Sequence, residues 1–417
     1  MLRIRTLRRL AGVLVVTALS AVVLTGTATS AEAPKVVIWA DHDRKAAVDK
    51  VAGEWGAAKG ITVQVVEKDF GKIRDDLKTV QPETAPDVIV GAHDWTGQLA
   101  ADGLVLPLYP SKATLTQFPQ YALDAFSYGT AVKKLYGAPV ALENLALIVN
   151  KKLAHVPKSF ADFEAQALAF QKKSSGNIGI AVPQGTAGDA YHMYPFFSGL
   201  CGYVFGVNKA KNLDPSDIGL RDPAFLKNAS LIDKWNKEGL LNSKIDYGTG
   251  KDAFLKGNAA FWITGPWESD TLKKSGGTGL KYTITSFPSP TSTCKSVPFL
   301  GVQGFMVTKF STVHGVETAA RDLVGDYMMR ADGQQALAAA NGRFPANTEA
   351  GKRVKDPVLI LFGKASTGGV PMPNIPQMSS VWSELGGAWV NATKGAGATP
   401  AKAAFSTAAR NIADKIG

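Results

Sequence analysis

Catalytic signatures are missing from this chain. No G-x-S-x-G elbow, G-x-x-x-x-G-K-[ST] loop or H-E-x-x-H helix occurs, so the serine-hydrolase, P-loop and zincin classes lack their motifs. The nearest phosphate-loop fragment, GTGKD at 248–252, lacks the glycine spacing and the following hydroxyl residue. The glycines at 276–279 miss the dinucleotide fingerprint and read as a turn. Histidine is scarce, and His42, His93, His155, His192 and His314 never pair at ligand spacing, so neither a metal nor another cofactor is expected. The lysines are scattered and form no stripe with interleaved aromatics, which argues against a nucleic-acid partner. Apart from the first thirty residues, no apolar run approaches the roughly 20 residues of a membrane span.

That first stretch is distinctive. Arg3, Arg5, Arg8 and Arg9 precede an apolar run from Leu10 to Leu24 and a small-residue stretch from Gly26 to Ala33. This is the order of a secretory signal, with cleavage expected after Ala31 and an extracytoplasmic mature chain. An uncleaved anchor is the alternative, and the residues after Arg8-Arg9 fit a twin-arginine route poorly. At LTGT (24–27) a lipoprotein signal would need cysteine where Thr27 stands, so the acceptor thiol for a lipid anchor is absent. The net charge of +11 includes four leader arginines, which leaves 42 minus 35, or +7, on the mature chain. Only Cys201 and Cys294 remain as cysteines. An exported chain with an even count invites a disulfide between them, and two buried thiols are the alternative.

Short apolar strands alternate with amphipathic helices. KVVIWA (35–40), ITVQVV (61–66) and PDVIVGA (86–92) read as strands, and the helix between the first two carries Val48, Val51 and Trp55 and stops at Gly60. This βαβαβ order predicts a mainly parallel sheet flanked by helices. A second unit follows. Ser159 caps a helix with Phe163, Ala167 and Phe170 on one face, and NIGIAV (177–182), AAFWIT (259–264) and FMVTK (305–309) are further strands. Asp222-Pro223 begins one helix running to Gly239, and the last helix is expected to have Thr399 as its cap. Two α/β units follow, and ligand sites in such sheets lie beyond the carboxyl ends of the strands. DHDR (41–44), HDW (93–95) and TGPW (264–267) sit at those ends.

These clusters hold the ingredients of a carbohydrate site. Sugar hydroxyls favour charged partners, and pyranose faces favour flat aromatic side chains. Asp43, Arg44, Asp94 and Glu143 supply the first kind, and Tyr191, Trp267 and Trp382 the second. Core packing is the bland reading of any tryptophan, and it is assigned to Trp39, Trp55, Trp235 and Trp262, which lie inside periodic elements. Trp267 and Trp382 instead sit just beyond proline-bearing irregular stretches. Carboxylate pairs drawn from Asp43, Asp94, Glu143 and Asp189 would equally suit a secreted glycoside hydrolase, which is the alternative function.

The blocks VVIW–DHDR (36–44), PDVIVGAHD (86–94), NLALIVNKKL (144–153), ITGPW (263–267), PFLGVQG (298–304) and MPNIPQMSSVW (372–382) stand in an order that resembles the maltose/maltodextrin-binding proteins, the extracellular solute receptors of ABC importers. The resemblance runs from about Lys35 to the C-terminus. It implies a non-enzymatic, two-lobed fold that closes over ligand by a hinge. Lobe one would be 34–141 plus 303–353, lobe two 146–299 plus 357–417, with hinges near 142–145 and 300–302. It further implies a monomer that binds maltose, maltodextrin or a related oligosaccharide and docks on the membrane permease of an ABC importer. By motif, Asp43, Arg44, Asp94 and Glu143 orient hydroxyls, Asp189 stands in place of a glutamate, and Tyr191, Trp267 and Trp382 stack on rings. Several positions depart from the family. Gly91 stands where it has tryptophan and Trp95 where it has arginine, so the lost indole is expected to return four residues later. Ser269, Ser383 and Gly386 replace a tryptophan, a tyrosine and an arginine, which leaves a receptor for another oligosaccharide open.

Overall fold

The computed structural model describes residues 33–129 and 132–417, so the segment 1–31 expected to be a signal lies outside the described residues. Strands β1 (Lys35–Ala40), β2 (Thr62–Glu67) and β3 (Val88–Ala92) form as the apolar runs predict. Helix His42–Lys59 joins the first two, capped by Asp41 and stopped by Gly60 at φ 68°, a conformation that favours glycine. Further along are β4 (Ala138–Asn144), β5 (Ala146–Asn150), β6 (Ile178–Ala181), β7 (Ala259–Thr264), β8 (Tyr282–Thr285), β9 (Phe299–Val307), β10 (Phe344–Pro345) and β11 (Val370–Pro371).

These strands make two main sheets. One has the order β10-β4-β9-β3-β1-β2, with β11 added beside β9, and the other has the order β8-β5-β7-β6. Neither is mainly parallel, which corrects the sequence expectation. In the first sheet β1 pairs parallel with β2 and β3, whereas β9 runs antiparallel to β3 and β4. In the second, β7 is parallel to β6 but antiparallel to β5, and β8 is antiparallel to β5 as well. The physical reason is that the chain leaves the first sheet and later returns to it. β9 is not the end of a βαβ crossover, and nothing obliges it to run with β3.

The two sheets meet at one residue. β4 belongs to the first and β5 to the second, and only the buried Leu145 separates them. The returning strand pairs back to back with the outgoing one, through Leu300 with Asn144, Gly301 with Glu143 and Val302 with Leu142. Phe305–Val307 of FMVTK is therefore the end of a nine-residue strand that starts at Phe299, and Thr308 and Lys309 lie beyond it. Trp39, Trp55, Trp235 and Trp262 are core residues, each 4% exposed or less. Cys201 and Cys294 are joined by a disulfide that closes a 93-residue separation.

Two helix expectations need correction. The run from Asp222 to Gly239 is helical in two pieces, Pro223–Asn228 and Ser230–Glu238, because the chain tightens into an i→i+3 turn where Ile232 N–H bonds Ala229 O. Thr399 does not cap the last helix, Ala401–Ile416; its side chain makes no cap bond, and the Ala401 N–H donates to Asp233 Oδ1 at 2.8 Å. A carboxylate from a neighbouring helix does the capping. Asp233→Ala should accordingly cost about 1 kcal/mol of unfolding free energy in urea, as lost helix caps do. Thr399→Ala should stay within about 0.5 kcal/mol of wild type.

Candidate functional site

The chain leaves β1 at Asp41, and a buried polar chain begins there. Arg44 donates from Nε to Asp41 Oδ2 at 2.5 Å and from Nη1 to Gln303 Oε1 on β9. Gln303 Nε2 donates to Glu143 Oε2 at 2.9 Å, and Arg343 Nε donates to Glu143 Oε1 at 2.6 Å. All five residues are 5–6% exposed. Two cations and two anions alternate around a neutral amide, the arrangement that makes buried charge tolerable. Burial works against the charge on Arg343, but Glu143 outweighs it and holds the guanidinium above its ordinary pKa, with Asp41 and Asp43 adding to the effect. Asp43 itself is exposed, at the rim of this chain. Asp41, Gln303 and Arg343 went unassigned in the sequence reading. A glutamine interrupting the apolar run FLGVQGFMV was the one available signal, since a buried amide requires partners.

The end of β3 supplies the next group. His93, Asp94 and Trp95 form a single 3₁₀ turn. His93 accepts the Val302 N–H at Nδ1 (3.1 Å) and donates from Nε2 to Met372 O (3.0 Å), so it ties the returning strand to the 371–382 run. Full burial, partly offset by these two bonds, pushes it down to about 4, so it is neutral at physiological pH. Asp94 Oδ2 accepts the Trp382 Nε1–H at 2.9 Å. Its pKa is raised to about 6 by burial, against the opposing pull of Trp382 and Arg74. The Trp95 indole is 6% exposed and lies over Gly91, where a Cβ would come within 1.9 Å of the ring. Its ring centroid is 5.0 Å from that of Phe70, over which the Arg44 guanidinium sits at 4.8 Å. Trp95 thus occupies the space of a side chain at 91, as a buried backing rather than an open face. Phe70, 37% exposed, is the aromatic group that reaches solvent here.

The opposing wall comes from the second sheet and its helices. Asp189 caps helix Ala190–Gly199, its oxygens meeting His192 N at 2.9 Å and His192 Nδ1 at 2.6 Å. Tyr191 follows it. Burial raises the Tyr191 phenol well above its ordinary pKa, and the Glu143, Asp189 and Asp94 carboxylates push it further. The phenol therefore stays neutral in the field of three carboxylates. The Tyr191 ring lies 6.3 Å from Trp267 and 6.1 Å from Phe299, and Phe299 is 6.0 Å from Trp382. Phe299, buried at the start of β9, connects the half-buried rings and was missed because a strand phenylalanine reads as core.

Asp94 is therefore bonded to Trp382, Asp189 caps the helix that carries Tyr191, the rings of Tyr191, Trp267, Phe299 and Trp382 form a linked series, Glu143 and Arg44 are locked in the polar chain, and Trp95 stands behind. In the 371–382 run Met372 and Met378 are buried, and the Asn374 amide lies 2.9 Å from Asp124 O, Ala125 O and Ser127 O. These anchors deliver Trp382 to the cleft. Among the described residues no group of His, Cys, Asp or Glu is arranged to hold a metal. Carboxylates and a phenol facing flat apolar rings can bind a polyhydroxylated ring.

Known proteins agree with this geometry. The family model for bacterial extracellular solute-binding proteins matches residues 28–359. The galactooligosaccharide-binding protein of Bacillus subtilis (strain 168) is 26% identical over 395 residues, covering 93% of this chain and 87% of its own. The maltodextrin-binding protein MdxE of the same organism is 27% identical over 368 residues, or 85% of this chain and 84% of its own. The solved structure of the Thermus thermophilus maltotriose-binding protein bound with maltotriose superposes with a TM-score of 0.80 at 29% identity, covering 92% of this chain and all of that one. This likeness bears out the two-lobed α/β fold.

The raised Asp94 pKa has a measurable sign. Between the ordinary aspartate value of about 4 and about 6, the folded protein keeps a proton that the unfolded chain releases. Stability from this site is therefore greatest at low pH and lost as pH rises through about 6. Asp94→Asn removes the titration and leaves a carbonyl for Trp382. Its unfolding free energy relative to wild type should rise by about 2 kcal/mol between pH 4 and pH 7.5. A flat difference across that range would rule out the buried, protonatable carboxyl.

Proposed function

The chain belongs to the bacterial extracellular solute-binding proteins, and on that premise we propose that it captures maltose, a maltodextrin or a related oligosaccharide outside the membrane and delivers it to the permease of an ABC importer. The observation that carries this reading is the meeting of Trp382 with Asp94 at 2.9 Å, which joins an aromatic wall to an acidic one. Tyr191, Trp267 and Trp382 stack on sugar rings, whose apolar faces match flat side chains of large area. Asp94, Glu143 and Asp189 accept from hydroxyls, Asp43 and Arg44 act from the rim and the polar chain, and Trp95 backs the acidic wall. Sugar binding needs no covalent step from any of them.

Lobes comprising 34–141 plus 303–353 and 146–299 plus 357–417 close over the ligand by bending near 142–145 and 300–302. Two antiparallel strands that cross together suit such a hinge, because a small change of twist moves both lobes without breaking the ladder. The closed form then presents a surface from both lobes to the permease. Segment 1–31 is removed on export, and the mature chain acts as a monomer. The solved neighbour bound with maltotriose and the relative named for maltodextrin support an α-glucan. The relative named for galactooligosaccharide is why related oligosaccharides stay in the reading.

Tryptophan fluorescence of the mature protein, titrated with maltose, maltotriose, a galactooligosaccharide, trehalose and sucrose, tests the function. Saturable quenching by at least one of these is expected. Trp382→Ala should weaken that binding by about 2 kcal/mol, roughly thirtyfold in Kd, as loss of a central aromatic anchor does. No response to any of the five would sink the reading.

A further inference from the structure

Trp267 has one hydrogen-bonding atom, the indole Nε1, and it only donates. That donor is not offered to the cleft; it goes to Tyr247 Oη at 2.5 Å. Since the phenol oxygen accepts from the indole, its own O–H must be given elsewhere. Glu268 Oε1 receives it at 2.7 Å. Glu268 is 3% exposed, and its other oxygen lies 2.8 Å from Lys251 Nζ. Thr264 Oγ1, at 3.1 Å, completes the surroundings of the phenol. The direction of the chain is thus fixed: indole to phenol to carboxylate, with an ammonium paired ionically beside the last. Burial, reinforced by Glu268, holds the Tyr247 hydroxyl well above its ordinary pKa, so it stays protonated.

The local fold shows why such a brace is needed. Trp267 and Glu268 share one 3₁₀ turn after β7, a segment with little geometry of its own to hold a large ring. Tyr247 comes from the start of a separate helix, Tyr247–Leu255, whose N-terminus is capped by Asp246. The indole also lies back over Gly265, where a Cβ would approach within 2.1 Å, and His192 meets it edge-on at 5.8 Å. The ring is held from behind and at its nitrogen, and it stays half-buried rather than sealed in the core.

We propose that Tyr247, with Glu268 and Lys251 behind it, is a positioning residue for saccharide binding that fixes the plane of Trp267, so that the cleft receives a stacking face and no indole donor. This rests on the reading of Trp267 as a sugar platform. It also sets the chemistry that this subsite takes: the apolar face of a pyranose, with no preference for a hydroxyl that would accept from Nε1. Trp382, whose indole N–H goes to Asp94, is restrained in the same way but across the cleft.

A double-mutant cycle on the mature protein, with the saccharide that quenches wild type best, tests this. Tyr247→Phe should weaken Kd about tenfold by freeing the indole, whereas the same change in a Trp267→Ala background should cost less than about twofold. Glu268→Gln keeps an acceptor for the phenol and loses the lysine partner, so a loss of about threefold, again abolished by Trp267→Ala, is expected. Should Tyr247→Phe not fold, as judged by its melting curve, the Glu268→Gln pair decides. Wild-type affinity in Tyr247→Phe, beside a weakened Trp267→Ala, overturns the positioning role alone. Equal losses in both backgrounds overturn it too, since Tyr247 would then act independently of the ring. An unaffected Trp267→Ala overturns the platform and the brace together, and a wild type silent to every sugar overturns the function itself.

Discussion

Glu143 and Arg343, 2.6 Å apart and both nearly excluded from water, are the pair on which the middle of the molecule depends. Neither charge could be buried alone without a penalty of several kcal/mol, so each requires the other, and Glu143 further requires Gln303. Glu143 sits on the strand that leaves the first sheet and Gln303 on the strand that returns to it. Their bond stitches the two passages side by side, two residues from the ladder position where Glu143 opposes Gly301. Arg44 extends the stitch to the end of the first strand. A polar chain of this kind specifies one arrangement of the crossing strands, because any slip leaves a charge unpaired.

The cleft inherits its order from that stitch. His93 fastens the returning strand to the 371–382 run, and its neutral ring makes the bond without adding charge. The run carries Trp382 across to Asp94, whose buried carboxyl gives up one oxygen to the indole. On the other side Tyr247 does for Trp267 what Asp94 does for Trp382. Both tryptophans thus have their single donor satisfied by the protein, and on the proposed reading they offer a ligand only ring surface. A rigid apolar face loses little entropy on binding, which is how such residues contribute most at a recognition site.

The gain and the loss of legibility follow from range. Gly60 as a helix stop and Ser159 as a helix cap were readable because their partners lie within a few residues. Trp95 over Gly91 was readable for a similar reason, since a missing side chain and a new ring stand four residues apart. The cap of the last helix was not, because Asp233 lies 168 residues from the amide it receives. Nor was the sheet polarity, which depends on where a returning strand docks. Asp41 and Arg343 escaped notice because a charged residue looks solvated until its partner is known.

Apolar periodicity, glycine stops and strand-end clusters by themselves determined that this chain would make an α/β fold with acids and aromatics just beyond its strands. Those are local consequences of side-chain chemistry, repeated along the chain and insensitive to what lies far away. The tertiary structure alone decided which acids are engaged, which rings are open and which way the sheets run. It also decided that the Asp94 carboxyl is pushed up to about 6, since desolvation is a property of the surroundings and not of the residue.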